Sequence, residues 1–268
     1  MSDRRPIVAG NWKLHLDHVE AVHHVTELGM RLRGMDVGAV DVVVVPPFTD
    51  LRSVSSVIEA EKLELGLGAQ HVSEFEQGAY TGEVSAPMLA RLGVTIVLVG
   101  HSERRAFFHM DDDTVARTAA AALRGGLIPM LCVGESEAER ADGATDEVLA
   151  RQLSTVLAAL DGVDAERLCV AYEPLWAIGT GTPATPEDAG SACAHLRKLA
   201  EQQLGEGAAR LRVLYGGSVS AESAGGLVAP PDVDGLLVGG ASLTPSEFAG
   251  VVGAAADCYR SSRRSPRR

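Results

Sequence analysis

No apolar stretch in this 268-residue chain approaches the ~18 residues needed to cross a bilayer, which argues against a membrane-spanning helix. The opening MSDRRPIVAGNWK lacks the hydrophobic core of a secretory leader, so a cytoplasmic location is expected. Cysteine is sparse. Cys132, Cys169, Cys193 and Cys258 stand alone, with no CxxC and no histidine at zinc spacing, and are expected to be plain thiols, two of them inside strands. Positive charge is also short: 24 Lys and Arg against 36 Asp and Glu give a formal net charge of −12. Such a field repels nucleic acid, and neither nucleic acid nor membrane is expected as a partner. The exception is the end of the chain, where Arg260 to Arg268 holds five arginines and no acid. Residues 257–268 are therefore expected to form an unstructured, Arg-rich tail.

What is present is alternation. With 46% apolar and 22% charged residues the composition is that of a globular protein. Apolar or β-branched runs occur at Ile7–Ala9, Val42–Val45, Leu65–Ala69, Thr95–Val99, Ile128–Val133, Cys169–Tyr172, Arg212–Tyr215 and Gly235–Val238. The runs at 42–45 and 96–99 are continuous rather than alternating, as in parallel strands buried on both faces. Helical spacing lies between them, for example from His18 to Arg33, Asp113 to Arg124, Asp146 to Leu160 and Pro186 to Leu204. Thr185-Pro186-Glu187-Asp188 and Thr244-Pro245-Ser246-Glu247 carry an N-cap, a first-position proline and acids, while Gly125-Gly126 reads as a helix stop. No linker divides the chain, and no GxGxxG follows the first run, which disfavours a dinucleotide-binding sheet. Eight strand–helix units predict one α/β domain, a (β/α)₈ barrel over about residues 6–256.

In such a barrel chemistry gathers at the C-terminal ends of the strands. The first run ends in Asn11 and Lys13, the fourth in His101, Ser102 and Glu103, the sixth in Glu173, the seventh in Gly216-Gly217-Ser218, and the eighth in Gly239-Gly240. Each alone has an ordinary explanation as a solvated lysine, a structural histidine or a turn glycine. Together at one mouth they suit proton transfer beside a carbonyl: Glu173 as base, with His101 and Lys13 stabilising the oxygen that becomes negative. The glycine turns suit a phosphate, held by backbone N–H groups. No metal-ligand cluster or nucleotide fingerprint is visible, so neither metal nor cofactor is expected.

These residues sit in eight blocks: AGNWK (9–13), PPFTDL (46–51), GAYTGEVS (78–85), VGHSERR (99–105), CVGE (132–135), AYEPLWAIGTG (171–181), LYGGSV (214–219) and DGLLVGGASL (234–243). In that order they resemble the triosephosphate isomerase family from Ile7 to about Gly253. The resemblance implies interconversion of dihydroxyacetone phosphate and D-glyceraldehyde 3-phosphate through an enediolate, in glycolysis and gluconeogenesis. It implies Glu173 as base, His101 as neutral electrophile, Lys13 and Asn11 as substrate-binding groups and Glu103 as their support. Gly179, Ser218, Gly239 and Gly240 are to hold the phosphate. Pro174, Leu175, Trp176, Ala177, Ile178, Gly179, Thr180 and Gly181 form a closing lid, latched by Tyr215 and Ser218. It also implies a homodimer in which the loop from Gln70 to Gly82 enters the neighbour, Thr81 reaching the partner's Asn11 and Glu83 pairing with the partner's Arg104.

Three places depart from the family pattern: Leu14-His15 where Met-Asn is common, His71 after Gln70 where Asn or Asp is usual, and Met110 where Glu is typical. Leu14, His15 and Met110 leave room for a second reading, a paralogue acting on a tetrulose (erythrulose) phosphate. A third reading is a catalytically retired barrel that binds a partner through its Arg-rich C-terminal tail.

Overall fold

The structure, a computed structural model, describes residues 4–160, 162–178 and 184–264, the last three by backbone alone. Eight parallel strands close into a barrel in sequence order: β1 Ile7–Asn11, β2 Asp41–Val45, β3 Gly66–Ala69, β4 Val94–Val99, β5 Ile128–Val133, β6 Cys169–Tyr172, β7 Arg212–Tyr215 and β8 Gly235–Val238. The ring shuts where β1 pairs with both β2 (Val8 opposite Val42) and β8 (Val8 opposite Leu236).

Among the described residues ten α-helices fill the connections: α1 His18–Arg33, α2 Leu51–Ala60, α3 Ala86–Arg91, α4 Ser102–Phe107, α5 Asp112–Arg124, α6 Glu137–Ala141, α7 Thr145–Ala159, α8 Pro186–Leu204, α9 Ala221–Leu227 and α10 Pro245–Arg264. Their starts follow local chemistry. Asp17 caps α1 and forms a capping box with Glu20, and Thr185 does the same for α8 with Asp188. Helix α5 begins at Asp112, one residue before the expected start, because the Asp111 side chain accepts the Thr114 N–H. Gly125 ends that helix, and Gly126 at φ +82° turns the chain into β5.

Alternation along the strands sorts the core into two layers. Ile7, Ala9, Val43, Val45, Ile96, Leu98, Met130, Cys132, Cys169, Ala171, Leu214 and Leu237 fill the barrel interior. Their neighbours, such as Val8, Val44, Val97, Leu131, Val170 and Val238, pack outward against the helices. This period of two also places chemistry. Asn11 continues the inward row of Ile7 and Ala9, and Glu173 continues that of Cys169 and Ala171.

The expected unstructured tail from residue 257 is corrected by α10, which runs on to Arg264. Tertiary contacts extend it: the Tyr259 hydroxyl donates to Val233 O at 2.9 Å, and Arg260 pairs with Asp36 at 2.7 Å. Charge composition alone does not reveal these anchors. Residues 265–268 lie outside the described residues.

Candidate active site

Asn11, Lys13, His101, Glu173, Ser218, Gly239 and Gly240 all border one cavity of about 380 Å³ at the C-terminal mouth of the barrel. Ile178, Gly216 and Gly217 border it too. Of the remaining expected groups, Glu103 touches the site through Lys13, and Gly179, Thr180 and Gly181 lie outside the described residues. Thr81, Glu83 and Arg104 stand apart from the cavity.

Lys13 sits in a left-handed conformation at φ +53°, which costs a non-glycine residue on the order of 1 kcal/mol. Both of its backbone groups are held by side chains. Its N–H donates to Asn11 Oδ1 at 3.0 Å, and its carbonyl accepts from Gln70 Nε2 at 2.7 Å. The strain aims the ammonium across the mouth to Glu103 Oε1 at 2.8 Å. In the sequence Gln70 only opens the loop that runs to Gly82; its hold on Lys13 is visible only in three dimensions.

His101 caps α4, its Nδ1 accepting the Glu103 N–H at 3.3 Å. An acceptor Nδ1 puts the ring proton on Nε2, which lies 3.0 Å from Glu173 Oε1 and 3.3 Å from Asn11 Nδ2. The other Glu173 oxygen accepts the Ser102 N–H at 2.9 Å. Both groups are deeply buried. Burial pulls the imidazole pKa down, but the adjacent Glu173 carboxylate outweighs it and raises His101 above its ordinary value. Burial pushes Glu173 up, yet His101, the Ser102 N–H and Lys13 hold it below the usual carboxylate range. The neutral ring expected from the resemblance is thus opposed, in this arrangement, by the contact with Glu173.

The glycine turns are shaped by close approach. A Cβ on Gly217 would fall 2.1 Å from the Tyr215 hydroxyl, and one on Gly216 would fall 3.1 Å from Glu173 Cγ. Ser218 donates its hydroxyl to Ala177 O at 2.7 Å, tying the β7 turn to the segment after Glu173. That segment forms a 3₁₀ turn at Leu175–Ala177, and the Trp176 indole N–H donates to Glu135 Oε1 at 2.9 Å. Tyr172 O–H donates to the same oxygen at 3.0 Å, and the Arg140 guanidinium lies 4.1 Å over the Trp176 ring. Glu135, fully buried, is an anchor that sequence reading missed; it lay inside the CVGE block without an assigned role. Its signal is a carboxylate two residues after a buried strand.

A carboxylate 3.0 Å from an imidazole, an ammonium beside them and two glycine turns around the same cavity give the barrel mouth the groups that proton transfer on a small anion requires. Comparison with known proteins narrows the class. The profile of the family described as triosephosphate isomerase matches residues 6–255. A triosephosphate isomerase of Nocardia farcinica is 51% identical over 247 residues, covering 92% of this chain and 95% of that protein. Those of Rhodococcus jostii and Streptomyces avermitilis are 48% and 47% identical, again over 92% of this chain and over 95% and 96% of theirs. The chain belongs to the triosephosphate isomerase family.

Proposed function

We propose that the cavity interconverts dihydroxyacetone phosphate and D-glyceraldehyde 3-phosphate by moving a proton between adjacent carbons through an enediolate. The pairing of Glu173 with His101 Nε2 at 3.0 Å carries this reading. Glu173 leaves the Ser102 N–H and His101, takes the carbon-bound proton and returns it to the neighbouring carbon. Once the carboxylate has turned to substrate, burial and the α4 N–H on Nδ1 favour a neutral ring, whose Nε2–H stabilises the enediolate oxygen. Lys13, oriented by Glu103, offsets the charge of the substrate, and Asn11 orients its oxygens. Backbone groups of Ser218, Gly239, Gly240 and Gly179 take the phosphate, while residues 174–181 close over it and exclude water.

The tetrulose reading loses its support, since Leu14, His15 and Met110 do not line the cavity. Leu14 is 93% exposed and Met110 is buried in the outer core. The retired-barrel reading is disfavoured by the intact Lys13, His101 and Glu173 and by the docking of Arg260 on Asp36. Steady-state turnover of D-glyceraldehyde 3-phosphate, compared with erythrulose phosphate, tests the reading. Absence of triose turnover overturns it.

The chain is further proposed to pair with a second copy of itself. Phe75 and Tyr80 stack at 3.7 Å yet remain 40% and 44% exposed, beside the exposed Thr81 and Glu83. Met88, Phe107 and Phe108 add further exposed apolar surface, and Arg104 lies 4.5 Å over the Phe108 ring. Thr81→Arg, which puts a charge into that contact, is expected to shift sedimentation from dimer to monomer. A wild-type chain that sediments as a fully active monomer overturns the pairing. Among the described residues no helix is long and apolar enough to cross a membrane. A cytoplasmic setting completes the proposal, with Cys132, Cys169 and Cys193 kept buried as thiols.

A further inference from the structure

The inner face of α1 is built from Ala21, His24, Val25, Leu28, Gly29 and Leu32, all buried. His24 is the one polar side chain among them, 5% exposed, at a position whose spacing calls for an apolar residue. A buried imidazole is costly unless it is bonded. Its Nε2 lies 2.9 Å from the carbonyl oxygen of Ser242. A carbonyl only accepts, so Nε2 carries the proton and donates. Burial lowers the pKa of the ring, which stays neutral and keeps this tautomer. The same ring packs against Trp12 at 4.7 Å between centroids, and Trp12 stands between Asn11 and Lys13.

Ser242 is itself fully buried, in the 3₁₀ turn Gly240–Leu243 that follows β8. Its N–H donates to Gly239 O at 2.8 Å, and its hydroxyl donates to the same oxygen at 2.6 Å. Ser242 therefore closes the turn from within, and His24 grips it from outside through the one remaining backbone group, the carbonyl. Gly239, Gly240 and Ala241, the residues this turn presents, line the active-site cavity. None of the three has a side chain larger than a methyl group to fix its conformation. Bonds elsewhere in the turn must do so.

We infer that His24 is a positioning residue for anion binding: by holding the Ser242 carbonyl it keeps Gly239–Ala241 in the conformation that receives the substrate's phosphate. The inference deepens the proposed function and rests on its placing of the phosphate at the β8 turn. His24 does not line the cavity, so its effect is on affinity rather than on proton transfer. A histidine that merely filled core space would act on stability alone.

The test uses the full chain with His24→Leu, which fills similar space without a donor, and His24→Gln, whose amide N–H replaces Nε2–H. Inorganic phosphate is titrated calorimetrically, kcat and KM are measured with D-glyceraldehyde 3-phosphate, and the thermal midpoint is recorded. His24→Leu is expected to weaken phosphate binding and raise KM about fivefold, the worth of one hydrogen bond, with kcat nearly unchanged. His24→Gln is expected to recover wild-type affinity, and neither variant's phosphate affinity is expected to follow its thermal midpoint. Unaltered phosphate affinity in His24→Leu, or a Gln variant as weak as the Leu one, overturns the inference. Weakened phosphate binding in a chain whose wild type turns over no triose sinks the reaction and leaves the inference standing. A wild type that binds no phosphate sinks both. If His24→Leu fails to fold, ¹⁵N-labelled histidine in the wild type decides: the His24 Nε2–H resonance is expected to shift on saturation with phosphate, and an unshifted resonance overturns the inference.

Discussion

Glu173 accepts the Ser102 backbone N–H at 2.9 Å, which sets the carboxylate against the first turn of α4. That bond and the His101 contact keep it ionised despite its burial. Glu173→Gln preserves the shape but cannot take a proton, and kcat is expected to fall by about 10²–10⁴-fold. Circular dichroism should show an unchanged fold. Retention of more than about a tenth of wild-type kcat would assign the base elsewhere.

Lys13 places the one ammonium that borders the cavity among the described residues, in a chain of net charge −12. Lys13→Met is expected to lower kcat/KM by about 10²-fold or more, because binding and transition-state stabilisation are lost together. Stability should change little, since the Glu103 carboxylate left behind is 42% exposed. An unchanged kcat/KM would reduce Lys13 to a surface lysine.

Ser218 joins the β7 turn to Ala177 O, and removing its hydroxyl frees that segment. An enediolate less tightly enclosed expels its adjacent phosphate more often before it is reprotonated. Ser218→Ala should therefore raise the inorganic phosphate released per triose isomerised. The ratio is measured by coupled assays of both products; if it equals the wild-type ratio, the bond has no part in enclosing the intermediate.

The His71 side chain is 12% exposed and faces Arg104, with Glu83 4.0 Å away, and partial burial pushes its pKa down to about 3. Its folded-state pKa lies below its unfolded value near ~6.5, so the unfolded chain binds the extra proton between those limits. Stability is present above about pH 6.5 and is lost as pH falls toward about 3. From pH 7 to pH 5 this group accounts for about 2 kcal/mol of that loss. Urea unfolding at both pH values should show His71→Asn losing less stability than wild type by about that amount. An equal loss in the two proteins would show that His71 is not the group being titrated.

Strands buried on both faces are legible because they are continuous apolar runs. The bounds of β5, β6, β7 and β8 coincide with the runs beginning at Ile128, Cys169, Arg212 and Gly235. Helices are equally legible, α1 from its spacing and α8 from its cap, because Thr185 acts within its own turn. Short α3 and α6 have too few residues to display a period. The end of α10 is not legible locally, because Tyr259 and Arg260 are anchored to Val233 and Asp36, far away in the chain.

The order of strands and helices and the chemical types at the strand ends are written in the local pattern of residues. These depend on neighbours within a few residues. Barrel closure alone brings Glu173 to His101 at 3.0 Å, Gln70 to Lys13 in its strained turn, and Glu135 to Trp176. It likewise brings a histidine on α1 to the turn after β8. Such partners lie on different strands and helices, and barrel closure sets their distances. No local pattern records them, because a side chain's propensity is read along the chain whereas its hydrogen bonds form across it.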